Sequence, residues 1–233
     1  MNIAIINFLA TLSQTVVGFG APLISMPFMI VWLGAKTATP LSALVGLLTS
    51  VFVLIYYRSH FNLQAVIKLL AAAVIGVPVG TYLLNLVDAR SLKILLGVIV
   101  IGYALYSLAS PKLPKIQGKF WEYIFGFFAG IMGGALNTSG PIVVIYASFK
   151  QWKPEEFRSN LQGFFIVTNV VIMVSHYIGG NLDSQFAANV GWAIGGMLVA
   201  IVVGLVISSR VNEKIFRTLI IIVLIASGIQ LLR

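Results

Sequence analysis

Residues 133–141 read GGALNTSGP and lie in the middle of an apolar run over residues 120–149. Two glycines open the stretch, Asn137, Thr138 and Ser139 carry hydrogen-bonding side chains, and Gly140 and Pro141 close it. Proline has no backbone N–H, so a helical ladder cannot pass through it, and glycine permits backbone angles that other residues avoid. In lipid, freed backbone groups are tolerated only where protein or a water-filled cavity receives them. The stretch therefore predicts a broken membrane helix whose break walls an internal polar site.

The surrounding chain supports a membrane setting. Of 233 residues, 59% are hydrophobic and only 9% charged, against about 25% charged in soluble domains. Apolar runs long enough for a hydrocarbon core of about 30 Å recur, and they lack the alternation of membrane barrel strands. The expected class is an all-α polytopic membrane protein, with the lipid bilayer as its main partner. Eight apolar segments are read, over 3–33, 37–57, 63–86, 92–109, 120–149, 157–178, 186–207 and 215–232. The start, Met1-Asn2-Ile3, has no basic region, and no signal peptide is expected. The formal charge of +9 does not indicate nucleic acid, because the 15 basic residues are scattered through short loops, as membrane topology requires. The chain has no cysteine, which removes disulfides, thiolate metal sites and cysteine nucleophiles.

The segment 3–33 would be about 46 Å long as one helix, too long for an upright span. Gly18, Phe19, Gly20, Ala21 and Pro22 interrupt it. It thus matches the broken segment 120–149. Between them, residues 110–119 read SPKLPKIQGK, a polar linker that divides the chain nearly in half. A shift of 119 residues places Ala21-Pro22-Leu23 on Gly140-Pro141-Ile142 and Thr49-Ser50 on Thr168-Asn169; a shift of 124 places Gly80 on Gly204 and Arg90 on Lys214. The domain reading is therefore an N-terminal membrane repeat over 1–109, a cytoplasmic linker over 110–119 and a C-terminal membrane repeat over 120–233. Matched broken segments in two halves are the sequence pointer to a transporter site.

Basic residues discriminate between two topologies. If all eight segments cross, six fall on one face and nine on the other. If each broken segment is a re-entrant hairpin, Lys36, Arg90, Lys93 and Arg233 face one side and the other eleven face the opposite side. The second split obeys the positive-inside rule. It predicts two inverted repeats, each a re-entrant hairpin plus three spans, with the linker inside and both ends of the chain outside.

All six acids, Asp88, Glu122, Glu155, Glu156, Asp183 and Glu213, fall in loops or at segment ends, so no mid-membrane carboxylate is expected. His60 is placed in a loop and His176 near a segment end, as a structural histidine. Lys36 and Lys68 are expected to snorkel. No metal-ligand spacing and no serine, histidine and acid constellation appears, so no cofactor, metal or enzymatic activity is expected. Pro22 and Pro141 suit the first position of a half-helix. Helix N-termini attract anions through unpaired N–H groups and the positive dipole end. The expected substrate site therefore comprises Gln14, Thr15, Gly18, Phe19, Gly20, Ala21 and Pro22 at the first break. Asn137, Thr138, Ser139, Gly140 and Pro141 supply the second, and Thr49, Ser50, Thr168 and Asn169 complete the lining.

The stretches GFGAPLISMPF and GIMGGALNTSGPIVVIY, with the duplicated architecture, resemble the TauE/SafE family across essentially the whole chain. The resemblance implies a multi-pass permease of a prokaryotic inner membrane that handles sulfite, sulfonates or related small anions. The expected mechanism is alternating access by rocking of the two halves, and a homodimer is admitted as a partner. A channel-like anion facilitator and a non-transporting membrane scaffold are the alternatives.

Overall fold

A computed structural model describes residues 2–109, 111, 113–116, 118–207 and 213–233. Lys112 and most of the basic loop 208–214, including Arg210, lie outside the described residues. The described residues form nine α-helices: α1 (Asn2–Val17), α2 (Ala21–Tyr57), α3 (Leu63–Leu86), α4 (Ala89–Ala109), α5 (Lys119–Leu136), α6 (Gly140–Lys150), α7 (Pro154–Ile178), α8 (Ser184–Ile207) and α9 (Glu213–Leu232). Of these, α2, α3, α4, α7 and α8 are long and apolar enough to cross a membrane. The chain is thus an all-helical polytopic membrane protein, as its composition requires.

Both expected breaks are present. The first separates α1 from α2 at Gly18-Phe19-Gly20, and the second separates α5 from α6 at Asn137-Thr138-Ser139. Pro22 and Pro141 take the second position of α2 and α6 rather than the first, since Ala21 and Gly140 begin those helices. The helix α2 also bends sharply at Gly34, whose φ of 74° and ψ of 163° leave the helical region. That bend divides α2 into a short limb, 21–33, and a long limb, 35–57. The boundary falls where the first and second apolar segments were separated by sequence.

Glycine seams hold the helices together. Gly126, Gly130 and Gly134 of α5 sit on the backbones of Leu69, Ala73 and Val77, and Gly76 and Gly80 of α3 meet Phe127 and Ile131 in return. The constant offset means that α3 and α5 run side by side in the same direction. A second seam joins α1 to α8, with Gly196 on the backbone of Ala4 and Gly204 on Thr15. The long limb of α2 runs opposite to α7: Gly46 faces Asn169, and Tyr57 faces Arg158. The pair α4 and α9 closes at Gly97 and Gly228. Without hydrophobic driving force between helices in lipid, small residues permit the backbone approach that dispersion needs.

Polar contacts fix the ends. Glu122 in the first turn of α5 receives Lys150 of α6 at 2.9 Å and Lys68 of α3 at 3.2 Å. Lys68, expected to snorkel, keeps 32% of its side chain exposed and also pairs with the acid, because its helix packs directly against α5. At the other end, Thr37 donates to Asp183 at 3.0 Å, tying the start of the long α2 limb to the turn before α8. The turn after α2 is pinned to α7, where Asn160 accepts the Asn62 backbone N–H at 2.8 Å and Gly163 makes room for the Phe61 ring.

Two glycine substitutions separate seam from surface. In Gly130→Val the added carbons collide with the Ala73 backbone, and overpacking of this kind costs roughly 1–3 kcal/mol or more. Gly102 has no atom within contact distance of an added Cβ, so Gly102→Ala should be neutral or stabilising by about 0.5–1 kcal/mol through helix propensity. Thermal unfolding of detergent-purified variants should show a lowered midpoint for the first and none for the second.

Candidate functional site

The backbone at each break takes up conformations that an unbroken helix forbids. Gly18 and Gly20 have φ of 94° and 100°, where any side chain would be strained. At the second break the left-handed residue is Asn137, with φ 52° and ψ 28°; asparagine tolerates this region better than most residues.

Three carbonyls at the breaks, those of Gly18, Gly134 and Ala135, accept from side chains of other helices. At the first, the Gln162 side-chain amide donates to the carbonyl of Gly18. The same Gln162 accepts from the Gln14 amide at 3.1 Å, and Gln14 also donates to the Ser50 hydroxyl at 3.2 Å. At the second, the Gly134 carbonyl receives Thr81 at 3.3 Å and His176 Nε2 at 2.9 Å, and the Ala135 carbonyl receives Thr39 at 3.1 Å. A carbonyl only accepts, so His176 carries its proton on Nε2, and its Nδ1 accepts from the Asn181 amide at 3.1 Å. His176 is fully buried, and its role here is to hold the second break in place. The Asn137 amide donates to Ser42 at 3.1 Å.

The N-terminal donors are treated differently. No side chain caps α2 at Gly20 or α6 at Ser139. The first helical turns close only at Ile24 N–H to the Gly20 carbonyl and Val143 N–H to the Ser139 carbonyl. The first N–H groups of each helix precede those bonds, and proline removes one donor from each set.

Both N-termini meet at one small cavity. Gln14, Gly20, Pro22 and Leu23 line it from the first break, Asn137, Thr138, Ser139 and Gly140 from the second, and Gly46, Phe165 and Asn169 from the crossing of α2 and α7. Eight of the sequence-expected residues are thereby brought together. Its volume is about 20 Å³, enough for about one water molecule. The other expected residues sit elsewhere. Thr15 and Thr168 bond the carbonyls four residues back in their own helices, at Thr11 and Phe164. Ser50 reaches the cavity only through Gln14. Thr49 is buried with its hydroxyl unpartnered. Ala21 and Pro141 belong to the helix starts, and Gly18 packs on the Arg158 side chain.

A larger cavity of about 400 Å³ adjoins the first break and shares Gly20 and Leu23 with the small one. It extends past Phe19, Tyr103 and Ser107 to Pro111 in the linker, and Phe157 and Arg158 form part of its wall. Sequence reading placed Arg158 among loop charges and gave no role to Ser42, Gln162 or Tyr103. Gln162 had a signal, a polar amide inside an apolar segment, but its nearness to the charged loop masked it. Tyr103 had none, since an aromatic residue in a membrane helix is ordinary.

Comparison with known proteins agrees with this architecture. Residues 3–231 match the family model described as "Sulfite exporter TauE/SafE". The chain is 29% identical over 202 residues to a Cupriavidus necator protein named "Probable sulfite/organosulfonate exporter TauE", a match covering 83% of this chain and 78% of that protein. No solved structure matches. The chain belongs to the TauE/SafE family of membrane exporters.

Proposed function

We propose that this TauE/SafE family member exports a small anion, sulfite or an organosulfonate, across the inner membrane of a prokaryotic cell. The substrate binds between the two helix breaks and moves by alternating access. One observation carries this reading: at both breaks the side-chain donors fill carbonyl acceptors, while no side chain caps the helix N-termini. At Gly18, Gly134 and Ala135 a cation would have to compete with side-chain donors for the carbonyl oxygen. An anion finds backbone N–H groups and two positive dipole ends. Asn137, Thr138, Ser139 and Asn169 add neutral polar groups around it.

The breaks act as tips of re-entrant hairpins. In the second hairpin, Glu122 near the start of α5 meets Lys150 at the end of α6, so both arms end together. In the first, the Asn7 amide approaches the Met29 sulfur at 3.9 Å, which aligns α1 with the short limb of α2 as opposed arms. The pairing of α1 with α8 and of α5 with α3, each in the same direction, is what an inverted duplication of 1–109 and 120–233 would produce. The volume between the tips, about 20 Å³, does not admit a sulfur oxyanion. Binding therefore requires the tips to separate, a movement that alternating access supplies.

Two experiments test the reading. The chain lacks cysteine, so Lys36→Cys and Gln151→Cys can be labelled without background. Inverted hairpins require Gln151→Cys to react with an impermeant thiol reagent from the cytoplasm and Lys36→Cys from outside; reaction of both from one side removes the topology. In proteoliposomes, Asn137→Leu or Ser139→Leu should reduce sulfite counterflow at least tenfold while leaving the protein monodisperse. Undiminished counterflow in both variants excludes the site, and uptake without counterflow exchange identifies a channel.

A further inference from the structure

The larger cavity is built for more than passage. It holds about 400 Å³, in the range of pockets that enclose whole organic ligands. Its wall near the first break is aromatic. Phe19, carried between two glycines at the hairpin tip, sits edge-on to Tyr103 at 5.8 Å and to Phe157 at 6.0 Å. Tyr103 continues the ring cluster to Tyr106 at 6.2 Å. Such pairs prefer edge-to-face geometry and accept a further ring readily.

The same cavity has a polar end. Arg158 lines it half-buried, with Nη1 donating to the Tyr57 hydroxyl at 3.0 Å and the guanidinium 5.6 Å from the Tyr57 ring centre. Its stem lies against the first break, where a Cβ at Gly18 would approach the Arg158 Cγ to 2.9 Å. Ser13 also lines the cavity, and its hydroxyl is fully buried with no partner.

We infer that this cavity is a second binding site, distinct from the gap between the breaks, which captures an organic anion by its charged head on Arg158 and its apolar body among Phe19, Tyr103 and Phe157. The inference deepens the export reading and rests on it for direction of transport only. It assigns preference to anions carrying a ring or short alkyl body over bare sulfite, because the rings offer sulfite nothing. Arg158 supplies a planar donor fork suited to an oxyanion.

The test is binding to the purified protein in nanodiscs, with sulfite, methanesulfonate, benzenesulfonate and uncharged benzyl alcohol as probes. The wild type should bind benzenesulfonate at least tenfold tighter than sulfite, with methanesulfonate between them and benzyl alcohol weakest. Arg158→Gln should weaken benzenesulfonate by about tenfold or more. Tyr103→Leu and Phe157→Leu should weaken it roughly three- to tenfold and leave sulfite unchanged. Equal affinity for sulfite and benzenesulfonate in the wild type overturns the inference, as does equal weakening of both by the ring variants. The wild-type ranking decides even if Arg158→Gln fails to fold. Sulfite counterflow that is lost in Asn137→Leu, combined with a flat ranking, rejects this cavity and keeps the transport reading. The expected ranking without counterflow of any probe does the reverse.

Discussion

A broken helix inside a membrane leaves peptide groups that lipid cannot satisfy, and this protein is arranged around two such breaks. The response is asymmetric. Thr39, Thr81, Gln162 and His176 reach in from α2, α3 and α7 to donate to carbonyls at the breaks. The helix N-termini have no matching set of side-chain acceptors. Carboxylates would have satisfied them and would also have turned the site against anions. The helix starts that face the cavity thus keep their N–H groups without side-chain acceptors.

The glycine seams constrain how such a site can move. The arm α1 lies on α8, and α5 lies on α3, each at backbone contact. These seams join the first half of the chain to the second. Rocking the halves as separate bodies would open both seams and expose backbone that only another backbone fits. The close backbone contacts run across the repeats, the first hairpin lying on α8 and the second on α3. Between them run α2 and α7, crossing where Gly46 faces Asn169. Separation of the tips then needs a shift at that crossing, whose groups also line the small cavity.

The breaks were legible in the sequence because glycine and proline act locally. The stretch 133–141 and residues 18–22 could each be read without knowing their neighbours. The pairing of Gln14, Asn137 and Asn169 around one cavity was legible as well, through the matched position of the breaks. What was not legible depends on side chains that meet from distant helices. Lys68 looks like an interfacial lysine until α5 brings Glu122 to it. Thr15 and Thr168 look like site hydroxyls, but a helical threonine can satisfy itself on the carbonyl four residues back, and both do. Arg158 reads as a topology charge because loop arginines usually are, and only the fold places its stem against Gly18.

The distribution of charge between the two cavities carries a consequence for turnover. A full cation at the gap between the breaks would hold an oxyanion strongly in a medium of low dielectric, and it would be costly to bury when the site is empty. Transport requires a site favourable enough to enter and weak enough to leave. The gap offers only dipoles and neutral donors, while the guanidinium of Arg158 stands one cavity away. In the proposed export, attraction is then strongest where the anion is collected and weaker where it must be released to the other face. That order suits export from a low cytoplasmic concentration, with the membrane potential, negative inside, favouring the outward step.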